Sequence, residues 1–327
     1  MCIRDRPILI SVGKLIMLSM EVPPMKIFLD TAELDEIKFA CSLGIIDGVT
    51  TNPSLIKRAV EKRGGEVSME EYIKEILRAV PGPVSLEVVG TSFEEMVDEA
   101  KRLYMRFSPY GRVVVKIPIC SSMDGESNVY DGLRAIGELS RIGIPINATL
   151  VMTPEQAILA AKAGAAYVSP FAGRIDDYIR DSSGMKRGRD YGKADYYDFR
   201  LMRLIAEKRL EETLKGCEDD EVGRIYLNER VASAAKQGHD NGIYSGVDLV
   251  RRIVRIYRNY GYKTEVIAAS MRNARQVREM AEAGADIVTI PFYVIKQMLL
   301  HPKTIEGMKL FVADVVPQYA DLIRSKG

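Results

Sequence analysis

The chain is poor in the side chains on which much enzyme chemistry runs. It has 2 histidines, 4 cysteines and no tryptophan in 327 residues. His239 and His301 stand far apart, so no zinc site or histidine-based triad can be drawn. Cys2, Cys41, Cys120 and Cys217 are scattered without Cys-x-x-Cys spacing, which reads as reduced thiols rather than a disulfide framework. A formal net charge of +1 leaves no footprint for nucleic acid or an anionic membrane. No segment is long and apolar enough to span a bilayer. The apolar stretch Ile8 to Met20 is broken by Lys14 and followed by Glu21-Val22-Pro23-Pro24, with no small-residue cleavage site, so it does not read as a signal peptide. The expectation is a cytoplasmic protein without metal or cofactor, whose catalysis must run on Lys, Asp, Glu, Ser, Thr or Tyr.

From Lys26 onward, short β-type runs alternate with amphipathic helical stretches. The candidate strands are Lys26-Asp30, Gly48-Thr51, Val84-Val89, Arg112-Pro118, Ile144-Leu150, Ala165-Pro170, Thr264-Ser270 and Asp286-Pro291. Helical patterns between them include Ala32-Leu43, Ser92-Phe107, Gly125-Ile142, Thr153-Ala163, Val247-Tyr260 and Ala274-Ala283. Such alternation means a parallel sheet covered by helices, and eight repeats at this length fit an α/β fold of the (β/α)8 TIM-barrel type. A doubly wound open sheet is weakened by the lack of a Gly-x-Gly-x-x-Gly turn after the first strand. Gly44, Gly143, Gly164 and Gly284 each close a helical pattern just before a strand, where a left-handed cap suits glycine. Residues 1–24 match nothing downstream. They read as a non-native or disordered leader, with Met25 as the natural start and 25–327 as a single barrel. An insertion of about 176–244, after the sixth strand, breaks the rhythm. Its opening, Arg180 to Tyr197, is polar, and Phe199 to Lys215 and Val222 to Lys236 read as amphipathic helices. An insertion on that loop is a surface decoration, a lid over the site or a subunit-contact hairpin.

The sharpest single residue is Lys116, inside the β-branched run Val113-Val114-Val115-Lys116-Ile117-Pro118. Lysine is rarely buried without a reason. Taking an ammonium out of water favours the neutral amine, and a neutral amine attacks carbonyl carbon to give a Schiff base. An edge-strand lysine snorkelling to solvent is the bland alternative. Other polar residues recur at the carboxyl ends of the strands: Asp30, Thr51-Asn52, Ser85 and Glu87, Asn147 and Thr149, Ser169 with Phe171 and Arg174, and Ser270 with Arg272. Taken singly, Asp30 could cap the helix that starts near Ala32, Thr51-Asn52-Pro53-Ser54 could be a capped turn, and Arg272 could be a surface residue. A barrel interior is normally filled by branched apolar side chains. So many polar groups converging on one rim are costly unless they make a site. A lysine, two carboxylates, an Asn/Thr pair and arginines with serine make a Schiff-base site with a phosphate anchor.

The sequence resembles the transaldolase family, in its short bacterial and archaeal branch, which is related to fructose-6-phosphate aldolase. Phe28-Leu29-Asp30-Thr31-Ala32, Gly48-Val49-Thr50-Thr51-Asn52-Pro53-Ser54-Leu55-Ile56, Val114-Val115-Lys116-Ile117-Pro118, Asn147-Ala148-Thr149-Leu150, Ser169-Pro170-Phe171-Ala172-Gly173-Arg174 and Ala269-Ser270-Met271-Arg272 carry the resemblance. It implies Lys116 as the Schiff-base lysine and Asp30 as proton acceptor from the C4 hydroxyl. Glu87 and Thr149 would hold the water that moves protons. Asn52, Asn147 and Ser169 would bind the dihydroxyacetone unit, and Arg174, Ser270 and Arg272 the phosphate. The implied reaction passes dihydroxyacetone between ketose and aldose phosphates of the pentose phosphate pathway, with a homo-oligomer (pentamer or decamer) as partner. In the sister aldolase branch, Gln, Tyr and Lys stand where this chain has Glu87, Phe171 and Arg272. Other readings left open are a fructose-6-phosphate aldolase, a transaldolase for a non-standard ketose such as a sulfo-sugar, and a non-catalytic binding barrel. Lys186, Arg187 and Arg189 of the insertion are candidates to reach a second anionic group.

Overall fold

The computed structural model describes residues 24–63, 68–217, 222–316, 318–319 and 323. The stretch set apart as a leader lies outside them except for Pro24. The eight strands are β1 (Lys26–Asp30), β2 (Gly48–Thr50), β3 (Pro83–Glu87), β4 (Arg112–Pro118), β5 (Ile146–Val151), β6 (Tyr167–Pro170), β7 (Glu265–Ala268) and β8 (Ile287–Ile290). They pair in order, all parallel, and β8 closes on β1. The protein is a (β/α)8 barrel, as the alternation of strand and helix patterns requires.

Period-two alternation sorts the strand side chains into two sets. Those facing out, such as Val49, Val115, Ile117, Val168 and Val288, join the layer beneath the helices. Among those facing in, Phe28, Ile267 and Ile287 form a separate apolar plug, with Tyr167 packed against it. Nearer the carboxyl ends the interior turns polar, with Thr50, Ser85, Lys116, Asn147, Thr149, Ser169 and Thr289 all buried. Polar groups so placed need partners within the barrel or in its mouth.

Capped turns fix the helices at both ends of the barrel. Capping boxes, Ser92 with Glu95 and Thr153 with Gln156, fix the helices Phe93–Phe107 and Pro154–Lys162 behind β3 and β5. Gly44, Gly143, Gly164 and Gly284 take φ of 70°, 84°, 92° and 81°, the left-handed turns that end a helix ahead of a strand.

The sequence reading assigns Asp176 onward to an insertion, whereas a helix, Ala172–Ser182, follows β6 at once. It hides in the sequence because its first turn carries Gly173 and its buried face includes Asp176 and Arg180, each 4% exposed. Asp176 Oδ1 accepts from the Gly246 amide at 2.7 Å and Oδ2 from Gln276 Nε2 at 3.0 Å. The first bond ties the helix to Gly246–Tyr260, which leads into β7, and the second to Ala274–Ala283, which follows β7. Between them lie the irregular 183–198 stretch and the helices Phe199–Lys215, Val222–Leu227 and Glu229–Ala235. The polar opening is not simply solvated. Arg180 lies over the rings of Tyr191 (4.2 Å) and Tyr197 (5.0 Å), and both tyrosines are buried. Among the described residues, no helix is long and apolar enough to cross a membrane.

Candidate active site

Strand register assembles the centre of the site. Glu87 on β3 is the Cα partner of Lys116 on β4, and Lys116 is in turn the partner of Asn147 on β5. Lys116 is 6% exposed. Its Nζ donates to Glu87 Oε2 at 2.9 Å and to the Thr51 carbonyl at 3.1 Å. It therefore does not snorkel to bulk solvent. It faces the floor of a cavity of about 1020 Å³ at the carboxyl end of the barrel, the face on which sites of this fold lie.

Nine of the eleven residues singled out from sequence line this cavity: Lys116, Asp30, Glu87, Asn52, Ser169, Phe171, Arg174, Ser270 and Arg272. The other two, Asn147 and Thr149, are fully buried on β5. Asn147 donates to Ser85 Oγ at 3.3 Å and accepts from Ser169 Oγ at 2.7 Å, so β3, β5 and β6 are linked across the interior. Thr149 Oγ1 is buried with no hydrogen-bond partner. A hydroxyl in that state calls for a water or ligand atom to complete it.

The alternative roles considered for single residues divide. Asp30 caps nothing. The helix Leu34–Ser42 has Glu33 at its N-cap and no side-chain cap bond. Instead Asp30 Oδ1 accepts from Thr50 Oγ1 at 2.9 Å, and Thr50 Oγ1 lies 2.5 Å from Thr289 Oγ1. Burial pushes the Asp30 carboxyl above its ordinary range, against the Lys116 ammonium and the Thr50 hydroxyl. Asn52 does cap: its Oδ1 accepts from Leu55 N at 2.9 Å at the start of Pro53–Lys62, which leaves Nδ2 to offer a ligand. Thr51 is structural, its hydroxyl donating to the Ser85 carbonyl at 2.6 Å.

Two residues at the rim hold unusual backbone. Ser270 has φ 64° and Leu150 φ 57°, and Leu150 stands where the β5–β6 register shifts. Non-glycine residues hold such angles where the surroundings over-determine them, often at sites.

Around Arg174, Ser270 and Arg272 the side chains are partly engaged with Phe171 and Asp177. Arg272 is neither a surface residue nor free. Its Nη1 and Nη2 each donate to a separate oxygen of Asp177 at 2.6 Å, and its Nε is buried without a partner. Arg187 joins the same carboxylate at 3.2 Å. Burial pushes Asp177 up, but the Arg272 hydrogen bonds and the charges of Arg272, Arg187 and Arg180 outweigh it and hold the carboxyl below its usual range. Arg174 is exposed and lies 4.8 Å over the Phe171 ring. Of the three basic residues singled out in the insertion, only Arg187 lines the cavity. Arg189 is spent on Asp190 at 2.6 Å, and the amide of Lys186 donates to that same carboxylate. Within 176–244, sequence reasoning missed Asp177, Tyr178 and Asp181, which line the cavity, and Lys193, which lines it with Thr50 and Thr289. No spacing or motif marks Lys193. The Thr50–Thr289 contact is likewise invisible before the barrel closes.

The match to known proteins fits this geometry. The sequence profile "Transaldolase/Fructose-6-phosphate aldolase" covers residues 27–206 and 222–324. The chain belongs to the transaldolase/fructose-6-phosphate aldolase family. Similar proteins include a probable transaldolase of Anaeromyxobacter sp. (strain K), 38% identical over 290 residues, which cover 89% of this chain and 96% of that one. Another is from Carboxydothermus hydrogenoformans, 39% identical over 290 residues, 89% and 97% of the two chains. A third, from Chlorobium phaeobacteroides, is 40% identical over 296 residues, 89% and 96%.

Proposed function

We propose that this family member is a transaldolase that carries a dihydroxyacetone unit on Lys116 between sugar phosphates. The observation that carries the reading is Lys116 itself, buried against Glu87 at the floor of a cavity that Asp30 also lines. Glu87, at 2.9 Å, can take the proton that keeps Lys116 from attacking. The amine then adds to C2 of a ketose phosphate, and the carbinolamine loses water with a proton returned through Glu87. The partnerless Thr149 hydroxyl gives that water a place to be held. Asp30 takes the C4 hydroxyl proton. The C3–C4 bond breaks, its electrons run to the iminium nitrogen, and the aldose phosphate leaves. The enamine on Lys116 attacks the aldehyde carbon of an acceptor, Asp30 returns the proton to the new hydroxyl, and water at C2 releases the new ketose phosphate. The expected donors are fructose 6-phosphate and sedoheptulose 7-phosphate.

Phe171 favours transfer over simple cleavage. A phenol there could protonate the enamine and release dihydroxyacetone, whereas a phenyl ring under Arg174 has no proton to give. The test is release of glyceraldehyde 3-phosphate from fructose 6-phosphate, with and without erythrose 4-phosphate. Sustained release only with the acceptor supports the reading. Sustained release without it makes the protein an aldolase.

A further inference from the structure

We propose that Lys193, carried by the long β6–β7 connection, is a specificity residue that binds the terminal phosphate of the sugar. The proposal rests on the transferase reading above and extends it to a residue outside the barrel strands.

Charge bookkeeping on the cavity wall leads to it. The lining carries six cations (Arg58, Lys116, Arg174, Arg187, Lys193, Arg272) and four carboxylates (Asp30, Glu87, Asp177, Asp181). Lys116 is paired with Glu87, and Arg272 and Arg187 are both paired with Asp177. The guanidinium best buried for gripping a phosphate thus has both Nη groups already donating to a carboxylate. Among the described residues, Arg58, Arg174 and Lys193 are the lining cations that make no ion pair within 4 Å. Arg58 already donates through Nε to the Ser54 carbonyl on its own helix. Arg174 is held over Phe171. Lys193 stands on the same wall as Arg272, and its charge reaches Asp30, whose carboxyl it helps to hold down.

The backbone that carries Lys193 is held against the barrel. Its own carbonyl accepts from Arg272 Nη1 at 3.4 Å, the Ala194 carbonyl from Asn273 Nδ2 at 3.1 Å, and the Asp195 carbonyl from Arg180 Nη2 at 3.4 Å. Arg275 lies 3.3 Å over the Tyr196 ring, and Tyr197 is buried. Residues 193–197 are therefore fixed, Lys193, Ala194 and Tyr196 to the stretch after β7 and Asp195 and Tyr197 to Arg180 of the helix after β6, while one exposed ammonium among them is left unpaired. A compact ammonium with three donors suits a phosphate oxygen as a point charge. Arg272, turned by Asp177, then shapes the pocket, and Lys193 and Arg174 supply the uncompensated positive charge.

The test compares wild type, Lys193→Met and Lys193→Arg for binding of sorbitol 6-phosphate and of sorbitol by calorimetry. Sorbitol 6-phosphate has no carbonyl, so this arm needs no Schiff base and no turnover. Loss of one charge-assisted hydrogen bond is expected to weaken sorbitol 6-phosphate by about tenfold or more in Lys193→Met, with most of the affinity kept in Lys193→Arg. Equal affinity in wild type and Lys193→Met overturns the proposal. In the kinetic arm, the preference for glyceraldehyde 3-phosphate over glyceraldehyde as acceptor should fall by a similar factor in Lys193→Met. An equal loss on both acceptors, with the acid limb of the pH profile moved, would put Lys193 at Asp30 rather than at phosphate and also overturn the proposal. If wild type transfers nothing, the transferase reading fails while the binding arm still decides the role of Lys193.

Discussion

Gly173→Ala tests whether close packing of the β6 helix on the end of β7 holds Ser270 and Arg272 in place. An ideal Cβ on Gly173 would lie 2.2 Å from the Ser270 carbonyl oxygen, 2.8 Å from Arg272 Nε and 3.0 Å from Ser270 Oγ. A carbon–oxygen contact needs roughly 3.3 Å, so helix and strand end must part by about 1 Å. The obstacle is backbone, at a serine already held at φ 64°, and it cannot swing aside as a side chain would. Overpacking of this kind costs about 1–3 kcal/mol, and alanine returns at most about 1 kcal/mol over glycine in a helix. The expected net loss is up to about 2 kcal/mol, read as a lower urea midpoint with an unchanged slope. A displacement of about 1 Å in positioning groups can cost roughly a hundredfold in rate. The predicted kcat/KM for fructose 6-phosphate falls on that order, mostly through KM. A variant that is more stable than wild type and keeps its kcat/KM would refute the reasoning.

Further consequences follow from single contacts. Lys116→Met should abolish turnover while circular dichroism shows a folded barrel, because Glu87 opens onto the cavity and rehydrates; a binding module would be indifferent to the change. Thr50→Val removes the hydroxyl that donates to Asp30 at 2.9 Å. The pKa of Asp30 then rises further, and because the base must be ionised, the acid limb of kcat/KM should move to higher pH. An unmoved limb would take that role from Asp30. Burial pushes Asp176 from 3.8 to about 6, so the folded state holds its proton more tightly than the unfolded chain. Its contribution to stability is full below pH 3.8 and is lost as pH rises through about 6. Asp176→Asn should flatten that fall in denaturation midpoints measured across the window, while lowering stability by about 1–3 kcal/mol because its amide meets the Gln276 amide. Phe171→Tyr should raise glyceraldehyde 3-phosphate release without acceptor, measured with a coupled dehydrogenase.

Strands and their polar carboxyl ends were legible because β-branched runs and period-two alternation are local signals. The run Val113 to Ile117 alone leaves Lys116 between a buried lysine and an edge-strand one reaching solvent, and it is the closed barrel that buries it and brings Glu87 beside it by register. The helix Ala172–Ser182 was not legible, because Asp176 and Arg180 share its buried face with Ile175 and Ile179, and a hydrophobicity pattern counts those two charged residues as surface. Their partners Gly246, Gln276 and Tyr197 are supplied by distant chain. Arg272 was recognised as a strand-end arginine, but its pairing with Asp177 joins residues 95 apart in sequence, which no local pattern records. In the insertion, charge density marks Lys186, Arg187 and Arg189, whereas the fold pairs Arg189 with the adjacent Asp190, places Arg187 at the cavity on Asp177, and adds Lys193 to the lining.

The most direct measurement of the central claim is reductive trapping. The protein is incubated with fructose 6-phosphate and sodium borohydride, digested, and mapped by mass spectrometry. The account predicts a three-carbon dihydroxyacetone adduct on Lys116 alone, absent from Lys116→Met. An adduct on another lysine, or turnover that continues with none, would contradict it.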